Sequence, residues 1–274
     1  MVFNLMKLFD KVVPDTMKAN VRELYMGLDY FRHNLFRNDE ILSNVEVEIN
    51  TDCNRRCRIC PRHDVPGEHG FMEDNLYDLL LDQLKDIDFD GQFSPVFYNE
   101  PLLDKRLPKL MEKAKNKLSD IEIIVYTNGS LITEDKIREL VDHGVDGIFI
   151  SQYNDNLRYD DKSDLVDSLP KDLAKHIRYR ILQNDDNLST RSGLVEVEKP
   201  VIKSICYKPS TNAVINYKGD VVVCCNDFFS QYSFGNISEE HIHEIWNSDE
   251  FKKVRKELRR GIFNYDICRA CHGE

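Results

Sequence analysis

Cys53, Cys57 and Cys60 stand at C-x3-C-x2-C spacing, just after a short alternating apolar run, Val45, Val47 and Ile49. The alternation has the period of a half-buried strand. Three thiolates on one tight loop can hold three corners of a cubic [4Fe–4S] cluster, which ordinarily takes four protein thiolates. A fourth cysteine is missing nearby, so one iron would stay open to a ligand that is not protein. An open iron on a low-potential cluster is a place to bind and reduce a small molecule. The rival is zinc, which takes four Cys or His ligands in structural sites and for which His63 or His69 could complete the set. Zinc's usual paired-ligand spacing makes it the weaker fit.

The rest of the composition decides where such a loop can work. The chain has 274 residues, 37 basic against 48 acidic, for a net charge of −11. Phosphate contacts need clustered positive charge, so neither a nucleic acid nor an anionic membrane is the expected partner. The apolar residues of the N-terminus are interrupted by Lys7, Asp10 and Lys11, unlike a signal peptide. No apolar run approaches the roughly 20 residues of a membrane helix. The expected location is the cytoplasm, where thiols stay reduced and clustered cysteines read as metal or redox ligands. All eight cysteines fall in two groups, 53, 57 and 60, then 206, 224, 225, 268 and 271. That segregation points to two metal sites.

The chain divides into an N-terminal helical extension (1–43), a main body (44–200) and a cysteine-rich C-terminal part (201–274). The main body alternates strand and helix, an α/β pattern that implies a parallel sheet with crossover helices. Strands are predicted at Val45–Asn50, ending at Phe97-Tyr98, at Ile121–Tyr126, Gly147–Ser151 and Ile177–Leu182. Helices are predicted over about Asn75–Lys85, Lys105–Lys117 and from an N-cap at Thr133 to Gly144. A sixth strand is absent or degenerate. Periodicity does not separate an open sheet from a barrel.

C-x3-C-x2-C directly after a first strand resembles the signature of the radical S-adenosylmethionine enzymes. The resemblance implies an incomplete (β/α) barrel. It implies that the open iron binds S-adenosylmethionine and that one electron, from a flavodoxin- or ferredoxin-type donor, splits the sulfonium to a 5′-deoxyadenosyl radical that takes a hydrogen atom from substrate. The strand-end loops carry the resemblance further. Tyr98-Asn99-Glu100-Pro101 is similar to the family's Gly-Gly-Glu-Pro, with Asn99 in place of the second glycine, and Thr127-Asn128-Gly129 to its Thr-Asn-Gly segment. Ser151 matches a position that contacts the ribose. The resemblance thus implies cofactor-binding roles for Asn99, Glu100, Pro101, Thr127, Asn128 and Ser151. Ile59 stands where the family usually has an aromatic residue, which leaves the adenine less to stack on.

The C-terminal part reads as a hairpin, Ala213–Tyr217 and Val221–Cys225 about a Lys-Gly-Asp turn. Asn247 and Glu250 look like a capping pair for a following helix, whose basic run, Lys252 to Arg260, is expected to be a solvated face. Cys206, Cys224, Cys268 and Cys271 resemble the ligands of a twitch domain, the shortened form of the SPASM domain. That implies a second, auxiliary [4Fe–4S] cluster held by four thiolates, although the sequence leaves Cys224 and Cys225 interchangeable. Four cysteines also suit a zinc ribbon. Size and cysteine layout resemble the dehydrogenase type of aminocyclitol antibiotic biosynthesis, acting on 2-deoxy-scyllo-inosamine. Arg191 resembles an arginine those enzymes carry between the barrel and the cysteine domain, which implies a catalytic part in loss of the hydroxyl proton; as a poor base it is equally suited to binding substrate. The expectation is a radical oxidoreductase of a small hydroxylated molecule. The alternatives are a radical epimerase, a modifier of a short peptide, or a non-catalytic iron–sulfur or zinc protein.

Overall fold

The computed structural model describes residues 15–34, 39–65, 69–153, 162–182, 188–197, 200, 202 and 204–273. In chain order the elements of the main body are α1 (Asp15–Asn34), β1 (Asn44–Val47), α2 (Asp74–Asp86), β2 (Gln92–Ser94), α3 (Leu107–Lys117), β3 (Glu122–Thr127), α4 (Glu134–Asp142), β4 (Gly147–Tyr153), α5 (Ser163–Ser168), α6 (Lys171–Ala174) and β5 (Ile177–Leu182). The C-terminal part adds α7 (Lys208–Thr211), β6 (Asn212–Ile215), β7 (Asp220–Val222), β8 (Ser233–Asn236), α8 (Ile242–Asn247), α9 (Asp249–Arg259) and α10 (Asp266–His272).

The strands form one sheet in the order β5-β4-β3-β2-β1-β6-β7-β8. Each of the first five is laid parallel beside its predecessor, so every crossover travels the same way along the sheet. That winding is the one of a barrel left open, as expected, and it stacks the helices on one face. Val45, Val47, Phe93, Ile123, Val125, Ile148 and Ile150 point to that face and meet Leu80 and Leu84 of α2, Met111 and Ala114 of α3, and Ile137 and Leu140 of α4. A fully buried Leu or Ile contributes about 1.5–3 kcal/mol, so this layer holds the sheet flat against its helices. The other face carries Ile124, Tyr126 and Phe149. Tyr126 stacks on Phe149 with centroids 5.2 Å apart, and the Arg178 guanidinium lies 4.1 Å from the Phe149 ring centre.

Three expectations need correction. β2 ends at Ser94, not at Phe97-Tyr98, because Pro95 has no N–H to continue the ladder. The sixth parallel strand is present. It is β6, the first strand of the C-terminal hairpin, paired with β1 from Asn44↔Asn212 to Val47↔Ile215. Asn212 Nδ2 donates to Glu46 at 2.9 Å and the Lys208 ammonium lies 3.4 Å from it, so polar rungs fix that register. β8 was not foreseen at all. It pairs antiparallel with β7 across an irregularity between Asp220 and Val222.

The capping pair is also corrected. Ser248 caps α9, accepting from the Phe251 N–H at 3.3 Å, while Asn247 Oδ1 accepts from the Glu40 N–H at 2.8 Å. The basic face of α9 is not wholly solvated. Arg255 is completely buried, donating to Glu40 at 2.6 Å and to the Trp246 carbonyl at 2.7 Å. Arg259 and the Tyr30 hydroxyl of α1 reach the other Glu40 oxygen, at 3.0 and 2.8 Å. Glu40 therefore ties the N-terminal helix to the C-terminal part.

Candidate active site

The loop from Cys53 to Cys60 closes on itself and on its neighbours. The Cys60 N–H donates to the Cys57 carbonyl at 2.9 Å, and a single 3-10 turn, Pro61–His63, follows. Cys57 is buried, Cys53 and Cys60 are half-buried, and all eight thiols are free. Two contacts stitch the loop to the end of β3: Asn128 Nδ2 to Asn54 Oδ1 at 2.9 Å, and Arg55 Nε to Ser130 Oγ at 2.7 Å. Asn128 Nδ2 also lies 3.9 Å from Cys53 Sγ. Burial pushes the Cys53 thiol up, helped by the charges of Glu100 and Cys60 and opposed by the Arg55 N–H and by Arg62. His63 Nδ1 faces the Arg56 carbonyl at 2.9 Å and His69 Nδ1 faces Asp52 at 2.6 Å. Among the described residues no three His, Cys, Asp or Glu side chains, the cysteines included, are drawn tight enough for a single ion.

Glu100 sits at the junction of the strand-end loops and is 1% exposed. Its Oε1 accepts from Thr127 Oγ1 at 2.7 Å and from the Leu102 N–H at 3.2 Å; its Oε2 accepts from the Asn128 N–H at 2.7 Å. Burial raises its pKa, and those three donors work against the rise. A carboxylate offers about four acceptor positions, so one on Oε2 remains for a further donor. Asn99 Nδ2 donates to Asn50 Oδ1 at 2.9 Å and Asn99 Oδ1 accepts from the Phe97 N–H, which fixes the backbone where the family has glycine. Pro101 opens a second 3-10 turn, Pro101–Leu103. Ser151 lies on the face of β4 that carries Phe149, opposite Arg180 in register. Asn99, Glu100, Thr127, Asn128 and the first three cysteines are thus neighbours, with Ser151 one strand further along.

The second cysteine group assembles from three segments. Cys206, Cys224 and Cys268 pack in one apolar cluster with Val223, Val254 and Leu258. Asn226 joins the fourth: its N–H donates to Cys224 Sγ at 3.4 Å and its Nδ2 to Cys271 Sγ at 3.3 Å. Burial, then the neighbouring Cys206 and Cys271, push the Cys268 thiol up to about 12. Burial also drives the Cys224 thiol well up, with Cys225, Cys268 and Cys206 adding to it. Cys225 stays outside the apolar cluster of Cys206, Cys224 and Cys268.

Between the two groups lies Tyr98, a residue that sequence reasoning did not select. It is 7% exposed, and its hydroxyl has no hydrogen-bond partner. Burial raises its pKa; Arg191 opposes this, while charges at Cys225, Cys224 and Cys60 add to it, so the ring feels both cysteine groups. Phe97 and Phe228 each meet its ring edge to face, with centroids 4.8 Å away, and the Arg191 guanidinium lies 5.9 Å from its centre. The available signal was Tyr98 itself, standing where the motif has its first glycine. Arg191 and Ser192 are both left-handed, with φ of 50° and 58°, and such residues cost about 1–3 kcal/mol each. Their turn is held against the second group, with Ser192 Oγ 3.6 Å from Cys271 Sγ and Ser189 Oγ accepting from Asn226 at 3.3 Å.

An open, singly wound parallel sheet with a three-cysteine loop after its first strand and a four-cysteine hairpin domain behind it defines a class, and comparison with known proteins gives the same one. The radical SAM superfamily model matches residues 47–162, and the SPASM iron–sulfur cluster-binding domain matches 206–272. The chain belongs to the radical S-adenosylmethionine enzymes that carry a SPASM domain. It is therefore an enzyme whose cofactors are S-adenosylmethionine, a [4Fe–4S] cluster and auxiliary iron–sulfur. The chain is 32% identical to the S-adenosyl-L-methionine-dependent 2-deoxy-scyllo-inosamine dehydrogenase of Niallia circulans, over 85% of this chain and 94% of that protein. The crystal structure of BtrN in complex with AdoMet and 2-DOIA superposes with a TM-score of 0.79 at 33% identity, covering 84% of this chain and 93% of the other. Streptococcus suis SuiB bound to the precursor peptide SuiA shares the fold, with a TM-score of 0.55 at 13% identity, over 91% of this chain and 76% of its own. No helix among the described residues is long and apolar enough to cross a membrane.

Proposed function

We propose that the protein oxidises a small hydroxylated molecule of the aminocyclitol kind, turning a secondary alcohol into a ketone. The observation that carries this reading is Tyr98, a buried phenol with an unpartnered hydroxyl, walled by Phe97 and Phe228 and set between the two cysteine groups. A polar atom left dry costs about 1–3 kcal/mol until something hydrogen-bonds to it, and a polyhydroxylated substrate would do so. Similarity to a dehydrogenase of the same size supports the choice of reaction.

Cys53, Cys57 and Cys60 would hold the cluster that binds S-adenosylmethionine, and Cys206, Cys224, Cys268 and Cys271 the auxiliary one. The unmet donor on Arg62 Nε and the unmet hydroxyl of Tyr98 fit a site built around groups that are not protein. When bound, these cofactors supply reductive cleavage of the sulfonium, abstraction of a hydrogen atom and a sink for one electron. The chain supplies the rest. Glu100 Oε2 offers its remaining acceptor position to the amino group of S-adenosylmethionine, and Asn99, Pro101, Thr127 and Asn128 keep that carboxylate aimed. Ser151 faces the ribose. Phe97 and Phe228 exclude water beside the substrate. Arg191 would orient the substrate and stabilise the alkoxide once the hydroxyl proton has passed to solvent water, since a guanidinium keeps its own protons and is not the acceptor. A flavodoxin- or ferredoxin-type carrier delivers the first electron.

A second reading rests on Cys225, a thiol outside the proposed ligand set whose charge bears on Tyr98. As a hydrogen-atom donor it would make the enzyme an epimerase. Anaerobic reconstitution with dithionite tests what both readings share, and the mass of the product formed in D2O then tests the main one, which expects two hydrogens lost. The expected protein holds about eight irons and forms 5′-deoxyadenosine, and the Cys53, Cys57, Cys60 triple Ala variant keeps about four and forms none. Zinc at the second group in anaerobically purified protein would refute the auxiliary-cluster assignment.

A further inference from the structure

Arg62 lies in the 3-10 turn that follows Cys60, and it is 4% exposed. A guanidinium stays charged in proteins, and taking an ion out of water costs several kcal/mol after relaxation unless a partner offsets it. Arg255 shows the ordinary solution in this chain: it is more deeply buried still, and although its Nη1 has no acceptor it grips the Glu40 carboxylate and the Trp246 carbonyl. Arg62 has no such grip. Its Nε is fully enclosed with no acceptor, and no carboxylate pairs with the side chain among the described residues. Arg62 stands two residues after Cys60, in the turn that closes the cysteine loop and is bonded back to it through the His63 N–H and the Cys60 carbonyl. A buried cation in that turn, with no carboxylate partner among the described residues, is matched to an anion that arrives later, at the cysteines.

We propose that Arg62 is the fixed counter-charge of the Cys53–Cys57–Cys60 cluster and raises the potential at which that cluster accepts its electron. The inference rests on those three cysteines holding the cluster. Reduction adds one negative charge at the site, and a buried cation on the adjoining turn stabilises the reduced form over the oxidised one. The electron comes from the external donor, and no proton or bond change is required.

The test is an EPR-monitored redox titration of reconstituted protein without S-adenosylmethionine, with the auxiliary cluster in the same sample as internal reference. Arg62→Gln should shift the one-electron equilibrium at least tenfold toward the oxidised form, a fall of 59 mV or more, while Arg62→Lys stays closer to wild type. Arg62→His should give a potential that falls as pH rises through the histidine pKa of about 6.5, which the wild type does not do. An unchanged potential in Arg62→Gln with full iron would overturn the proposal. So would an unchanged potential with weakened S-adenosylmethionine binding, which would assign Arg62 to the cofactor's carboxylate instead. If Gln and His both prevent iron uptake and Lys permits it, the charge is required and the proposal stands. Equal loss in all three makes Arg62 a packing residue. Wild-type protein that takes up no iron at the first group would refute the cluster reading itself, a result distinct from any of these.

Discussion

Tyr98 and Arg62 share a property that no spacing reveals: each is buried and each has a polar atom without a partner. The cysteines and Glu100 were legible because their signal is local, a loop of fixed spacing or an acidic residue before proline at a strand end. Whether a side chain is enclosed depends on segments far apart, here Phe228 from the C-terminal part closing over Tyr98 from the main body. The orphaned hydroxyl makes a prediction with opposite signs in two measurements. Tyr98→Phe removes a buried donor that nothing satisfies in the free protein, so the melting temperature should hold or rise. The same change should lower kcat/KM by about threefold to tenfold, the worth of one neutral hydrogen bond of about 0.5–1.5 kcal/mol. A fall in both would mean that the hydroxyl serves the fold and not the substrate.

At the scale of elements, the helix-facing strands and the helices α2, α3 and α4 were readable because apolar periodicity reports burial on a single face. What was not readable came from pairing between distant segments. β6 reads as half of a hairpin, and only the partner it finds, β1, makes it the sixth parallel strand. The basic run on α9 likewise hides one buried arginine, because Glu40 lies 215 positions away from Arg255 in sequence. That contact gives an acid-sensitive brace between α1 and α9. Burial alone would raise the Glu40 pKa, but Arg255 and Arg259, with the hydrogen bonds from Tyr30 and Arg255, outweigh it and hold the carboxyl below its usual range. A depressed carboxylate stabilises above its unfolded value of about 4.3 and loses that contribution as pH falls through the lower folded value. Glu40→Gln should therefore melt below wild type at pH 7, and the gap should narrow as both are taken into acid. A gap independent of pH would show that the charge of Glu40 contributes nothing to the brace.

At the scale of the molecule, the sheet runs without a break from the strands beside the first cysteine group into the hairpin that carries Cys224 and Cys225. The two groups are therefore set by one hydrogen-bonded ladder, with Tyr98 and the Arg191 turn between them, and this arrangement bears on the choice between oxidation and epimerisation. Both outcomes begin with loss of a hydrogen atom from substrate, so formation of 5′-deoxyadenosine does not separate them. An epimerase must return a hydrogen atom, usually from a thiol that exchanges with solvent. β7 ends at Val222, short of the expected Cys225, so the adjacent cysteines lie in the turn beyond it and strand alternation does not separate them; Cys224 alone of the pair enters the apolar cluster with Cys206 and Cys268. That leaves Cys225 as the one thiol outside the proposed ligand sets, close enough to Tyr98 to bear on its ionisation. Position alone would let it donate. A four-thiolate auxiliary site close to Tyr98 can take the second electron of an oxidation, whereas in an epimerase it would return an electron to the thiyl radical left on Cys225, so the choice of oxidation rests on similarity to a dehydrogenase. The expected result is a product lacking two hydrogens, one S-adenosylmethionine consumed per product, and no solvent hydrogen fixed at carbon. Cys225→Ala should keep this activity within about twofold, the effect of a surface-like substitution below 0.5 kcal/mol. The reaction is run in D2O in a buffer that limits enolisation, and the product is weighed by mass spectrometry. An isobaric product carrying one deuterium, abolished by Cys225→Ala, would make Cys225 the donor and the enzyme an epimerase.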